Sequence, residues 1–112
     1  MEEEQSRGRL AMLILSILSS APAHGYRIAR SLEEKSRGEF RLREGVLYPL
    51  LHSLEARGLI QAAWELGERG KERKVYRLTP AGGDHLGKML AIWHKEQAAI
   101  ELVIREVLPC VG

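Results

Sequence analysis

This sequence predicts a mainly α chain with one small β hairpin, and three observations support that reading. Apolar residues recur at helical spacing along 10–18, 24–36 and 43–57. Two short runs of alternating character, 59–66 and 73–78, flank the charged, glycine-punctuated segment Gly67 to Glu72. Beyond Thr79 the helical spacing returns and persists to Val107. The order helix, helix, helix, strand, strand, long helix is an α+β architecture.

In the first helix Leu10, Leu13, Ile14, Ile17 and Leu18 form one buried stripe, and the segment Ser19 to Pro22 ends it. The second helix runs from about His24 to Ser36, with Ile28, Ala29 and Leu32 inward, and Gly38 closes it. The third helix, about Arg43 to Arg57, carries Leu47, Leu50, Leu51 and Leu54 on one face. Its opposite face shows Gly45, Pro49, His52 and Ala56, flanked by Tyr48 and Ser53, a surface of small residues. Pro49 places the start of this helix close to Glu44, because proline is tolerated near a first turn.

After the stop at Gly58, Ile60, Ala62, Trp64 and Leu66 alternate on one face of a strand. The return strand sets Tyr76 and Leu78 against Arg73, Val75 and Arg77. Thr79 is a good N-cap and Pro80 fits the first position of the last helix, despite the weakening Gly82 and Gly83. Along that helix Leu86, Leu90, Trp93, Gln97, Ile100, Ile104 and Val107 make a heptad seam, with Met89, Ile92, Ala99 and Val103 beside it. One stripe is available to the chain's own core and the other to a second chain. The expected division is residues 1–79 as a binding unit and residues 80–112 as a dimerisation helix, in one structural unit.

At 112 residues the chain is too short to bury a generous core alone, so a homodimer is expected. The formal net charge is only +2, but its distribution is uneven. From Glu68 to Arg77, five basic and two acidic residues make a local +3, which leaves −1 for the remainder. The single cysteine, Cys110, excludes an intramolecular disulfide and a Cys-rich zinc site and fits a reducing cytoplasm. The run from Leu10 to Leu18 follows acidic residues and is too short for a membrane span. No metal-ligand spacing joins His24, His85 and His94 to carboxylates or Cys110, and no nucleophile, base and orienting residue assemble. Neither a cofactor nor an enzyme activity is expected.

Three helices followed by a basic hairpin have the shape of a winged helix-turn-helix. In such a motif the second helix of the pair enters the major groove of double-stranded DNA. The candidate contacts on that helix are Glu44, Gly45, Val46, Tyr48, Pro49 and His52, and on the wing Arg69, Lys71, Arg73 and Lys74. Gly45 lets backbone approach phosphate, Tyr48 can donate its hydroxyl, and His52 can bond a phosphate or a base edge. Each has a plainer alternative: the hairpin as a solvated surface, Tyr48 packed on the second helix, His52 idle. A winged-helix module that binds an acidic protein is the alternative function, and a steep salt dependence of duplex binding separates the two.

Taken in order, the strings His24-Gly-Tyr-Arg-Ile28, Gly45-Val-Leu-Tyr-Pro-Leu-Leu-His52, Leu54-Glu-Ala-Arg-Gly-Leu-Ile60 and Arg73-Lys-Val-Tyr-Arg-Leu-Thr-Pro-Ala-Gly82 resemble the PadR family of bacterial transcriptional regulators. The resemblance spans about residues 10–108 and is to the compact branch with a single C-terminal helix. It implies a homodimeric repressor that binds an inverted repeat and is released by a small aromatic molecule. It also implies that Gly45, Val46, Tyr48 and Pro49 lie at the DNA and that Arg73 and Lys74 belong to the wing. Val46 departs from a more usual threonine or serine, and Ser53 from a frequent basic residue. In drug-sensing members a tryptophan in this part of the last helix lines a pocket at the dimer centre. Trp93 matches it, with Leu86, Met89 and Ile92 as the pocket wall, although a core knob satisfies the same pattern.

Overall fold

The computed structural model describes residues 2–107, with side chains from residue 7 onward, so Cys110 lies outside the described residues. Four helices, α1 (Glu2–Ser20), α2 (Gly25–Lys35), α3 (Glu44–Ala56) and α4 (Pro80–Ile104), surround a sheet of β1 (Ala23–His24), β2 (Ile60–Leu66) and β3 (Glu72–Leu78). The sheet order is β1-β3-β2 and both pairings are antiparallel. The expected hairpin is therefore completed by a third strand. Two residues carry no legible alternation, and β1 exists because the chain entering α2 lies along β3, with Ala23 opposite Tyr76 and His24 opposite Val75.

The core forms where α1, α2, α3 and the inner half of the sheet meet. All four α3 leucines are buried, as are Ile28 and Leu32 of α2. On α1 the buried stripe is Ala11, Ile14, Leu15 and Leu18, while Leu13 and Ile17 of the expected stripe are only half-buried. Ile60 and Tyr76 extend the core into the sheet, but farther out on the same face of β2, Trp64 and Leu66 stand in solvent. The alternation identified the strand correctly; burial ends where the hairpin passes beyond the helices.

The junction of β3 and α4 is tightly tied to the end of α3. Thr79 Oγ1 accepts the Gly82 amide at 3.0 Å and donates to the Gly58 carbonyl at 2.7 Å. The Thr79 amide donates to the Leu59 carbonyl at 3.1 Å. A Cβ on Gly82 would run into that same carbonyl. Gly82 is thus a requirement of close approach rather than a weakness of the helix. α4 then leaves the body, and the molecule measures 58 × 27 × 25 Å. The helix ends at Ile104, three residues earlier than the seam reading, and Val107 lies in the turn beyond it.

Candidate nucleic-acid interface

Because four leucines draw one side of α3 into the core, the other side must face outward. Gly45, Val46, Tyr48, Pro49, His52 and Ser53 are all exposed there. Gly25 and Gly82 are each explained by a neighbour that leaves no room for a side chain, whereas nothing lies within 4 Å of a Cβ placed on Gly45. Glycine in a helix costs up to about 1 kcal/mol relative to alanine. Nothing inside the described chain returns that cost. Pro49 is the sixth residue of α3, deeper than a first-turn position, and has no N–H to donate to the Gly45 carbonyl. That carbonyl is left without its helical partner on the exposed face.

The wing carries its charge unevenly. Lys74 Nζ lies 3.6 Å from Glu55 of α3 and 5.5 Å from the Tyr76 ring centroid, so it straps the hairpin to the helix. Arg77 pairs with Glu65 at 3.4 Å. Among the described residues Arg69, Lys71 and Arg73 form no ion pair. Arg69 holds a left-handed backbone, φ 72°, at the hairpin tip, a conformation that costs a non-glycine residue on the order of 1 kcal/mol. Charge counting had located the positive excess in the hairpin alone. The structure adds exposed Arg43, at the N-cap of α3 and unpaired among the described residues, and Arg41, whose partner is Glu33 at 3.1 Å. Their signal was the Arg37 to Arg43 turn, which holds three arginines against one glutamate.

Tyr48 takes the plainer of its two anticipated roles, packing on α2. A Cβ on Gly25 would meet its ring and hydroxyl, so the tyrosine packs on the start of α2, yet it remains partly exposed. Next to it His24 caps α2: Nδ1 accepts the Arg27 amide at 3.3 Å. In the neutral ring the proton is then on Nε2, which faces the Arg73 guanidinium at 3.4 Å. Burial first, then Arg73 and Arg27, hold its pKa below the ordinary 6.5. The folded state binds this proton less tightly than the unfolded state does. The contribution of neutral His24 is therefore present above pH 6.5 and is lost as pH falls through that value to the lower folded pKa. Thermal melts at about pH 7.5 and about pH 5.5 are expected to show a larger fall for the native chain than for His24→Asn, which keeps a capping oxygen without a titrating ring. Equal falls would remove this role.

Tyr48, His52, Arg73, Lys74 and buried Tyr76 share a concavity of about 790 Å³ between α2, α3 and the wing. Glu44 is exposed at the start of α3. On α4 the structure divides the expected seam. Leu86 belongs to the protomer's own core and Met89 packs against it, which takes Leu86 out of an intersubunit surface. Leu90, Trp93, Ile100, Ile104 and Val107 remain exposed, as do Gln97 and Ile92. Among the described residues there is no cluster fit for a metal ion, and no helix is long and apolar enough to cross a membrane.

Known proteins resemble this chain over nearly its whole length. A transcriptional regulator of Mycobacterium tuberculosis is 36% identical over 105 residues, covering 94% of this chain and 88% of that one. A PadR family transcriptional regulator from Eggerthella lenta superposes with a TM-score of 0.74 at 36% identity, covering 93% and 85% of the two chains. A transcriptional regulator from Clostridium thermocellum gives 0.79 at 28% identity, covering 88% and 95%. Residues 14–88 match the model of the transcriptional regulator PadR-like family. With its helix-turn-helix, wing and projecting last helix, this chain belongs to the PadR-like family of transcriptional regulators, a family of regulators and not of enzymes.

Proposed function

We propose that this regulator is a cytoplasmic homodimeric repressor that binds an inverted repeat in double-stranded DNA and is released by a planar aromatic molecule bound near Trp93. The observation that carries the reading is the exposed face of α3, where, among the described residues, Gly45 has no packing role and the cations Arg43, Lys71 and Arg73 on the flanking elements form no ion pair. A helix start with free amides, small side chains and nearby guanidinium groups is chemically suited to phosphate. Val46 and His52, exposed on the same face, are the candidate base readers, and Glu44, Tyr48, Pro49 and Arg69 complete the contact surface. Residues 1–79 carry the DNA contacts and the last helix the dimer. The aromatic ligand would meet Trp93 and Ile92 at the dimer centre, with Met89 behind them at the edge of the core.

The test is a footprint on the chain's own upstream region, followed by titration of variants against that duplex and a scrambled one. Lys71→Ala is expected to weaken both duplexes alike and to lower the log–log salt slope by about 0.9. Lys74→Ala should lower it less, since Glu55 already meets that charge. Substitutions at Val46 or His52 should change the preference between the two duplexes. Gly45→Ala should leave the melting temperature level or slightly higher and still weaken binding. Equal behaviour of every variant on both duplexes, with no salt dependence, would exclude DNA readout. Adding planar aromatic compounds while following Trp93 emission tests the release step.

A further inference from the structure

The concavity beside α3 extends past the residues assigned so far. Its walls include Tyr26 and Arg27 from the first turn of α2 and Trp64 from β2, and no acidic side chain lines it. Tyr26 is 68% exposed and Trp64 is 67% exposed. Aromatic and cationic residues therefore adjoin on both sides: Tyr26 precedes Arg27 on the helix, and Trp64 lies opposite Lys74 across the hairpin. Two large rings left in water beside guanidinium groups that form no ion pair among the described residues suit a ligand unit that has both an anion and an apolar face. A nucleotide is such a unit, with its phosphate for the cations and its sugar or base faces for the rings.

We infer that one strand of the bound DNA is seated in this concavity, a phosphate held by Arg27 and Arg73 and the adjoining sugar lying against Tyr26 and Trp64. The inference rests on the DNA-binding reading above and adds Tyr26, Arg27 and Trp64 to it. It also gives β1 a purpose. Pairing of His24 with Val75 holds the start of α2 against the wing, so helix and hairpin grip the same strand. A sugar-phosphate seat is indifferent to sequence, and its aromatic contacts release no counterions. Affinity and salt slope should therefore separate.

In a Trp93→Phe background Trp64 is the only tryptophan, so its emission reports on this site. The probe is a random-sequence duplex of about 30 base pairs at low salt. Trp64 emission is expected to change saturably with the duplex and not with millimolar deoxyadenosine monophosphate or inorganic phosphate. In anisotropy titrations of the labelled duplex, Tyr26→Ala and Trp64→Ala should each weaken binding roughly tenfold with the salt slope unchanged. Arg27→Ala should weaken binding and reduce the slope by about 0.9. Both rings are exposed, so the variants should fold. An emission that ignores saturating duplex, or affinities of Tyr26→Ala and Trp64→Ala within about twofold of the parent, would overturn the seat while leaving DNA binding intact. Quenching by the mononucleotide without a response to duplex would overturn it in favour of a free-nucleotide site. A parent that binds no duplex would sink this inference and the proposed function together.

Discussion

Replacing Ile100 and Ile104 together by glutamate is expected to turn the proposed dimer into a folded monomer that no longer binds the proposed inverted repeat at concentrations where the native chain does. Both side chains lie on α4 one turn apart, 50% and 38% exposed, and neither belongs to the protomer's core. The winged domain should consequently keep its helical content and its weak, general affinity for duplex. Burying an isoleucine against a partner stabilises by about 1.5–3 kcal/mol, and a buried unpaired carboxylate opposes association by more. Two half-sites about one helical turn apart are bridged only by a dimer. Losing the second recognition helix removes an avidity of roughly 10²–10⁴-fold. Sedimentation and titration against the inverted repeat measure the two effects. A variant that sediments as a dimer would show that the subunits meet elsewhere.

Gly82→Ala is expected to be among the most destabilising single-methyl changes in the chain. The added carbon meets the Leu59 carbonyl, which already accepts the Thr79 amide, and neither backbone can move without disturbing the other. Overpacking costs typically 1–3 kcal/mol, and a backbone obstacle puts this site near about 3 kcal/mol. For a chain of this size that is a fall in melting temperature of roughly 10–20 °C. Gly83→Ala is the matched control. Its Cβ would find only Leu78 Cδ2 at 3.9 Å, so the higher helix propensity of alanine should leave stability level or raised by up to about 1 kcal/mol. Melts at equal protein concentration compare them. A Gly82→Ala protein that melts with the native chain would contradict the close packing.

Features that depend on local spacing were legible in the sequence. The leucine stripe oriented α3, Thr79-Pro80 marked the start of α4, and Gly38 and Gly58, both with positive φ, marked helix stops. What escaped depends on contacts between distant segments. β1 exists only because β3 lies beside it. Leu86 has the spacing of a seam residue but the surroundings of a core residue. Gly25 and Gly82 have the same composition signal as Gly45, and only the positions of Tyr48 and the Leu59 carbonyl separate the glycines that make room inside from the one that faces outward. In the candidate interface the wing arginines and lysines were visible as a charge cluster. Tyr26, Arg27 and Trp64 were not, because each is unremarkable until α2 and the hairpin are brought together.

The bonds that join Thr79 to Gly58 and Leu59 have a mechanical consequence. They tie the end of α3 to the start of α4, so a tilt of α4 is expected to carry α3 with it as the arms of a crank turn together. Gly82 lies about 30 Å along α4 from Leu102, at 1.5 Å per residue. A tilt of about 10° pivoting at the far end would swing the near end by roughly 5 Å, in opposite senses for the two protomers of the proposed dimer. A molecule wedged between the distal helices would then throw the pair of crank arms out of step with the pitch of the double helix without touching a single residue that faces it.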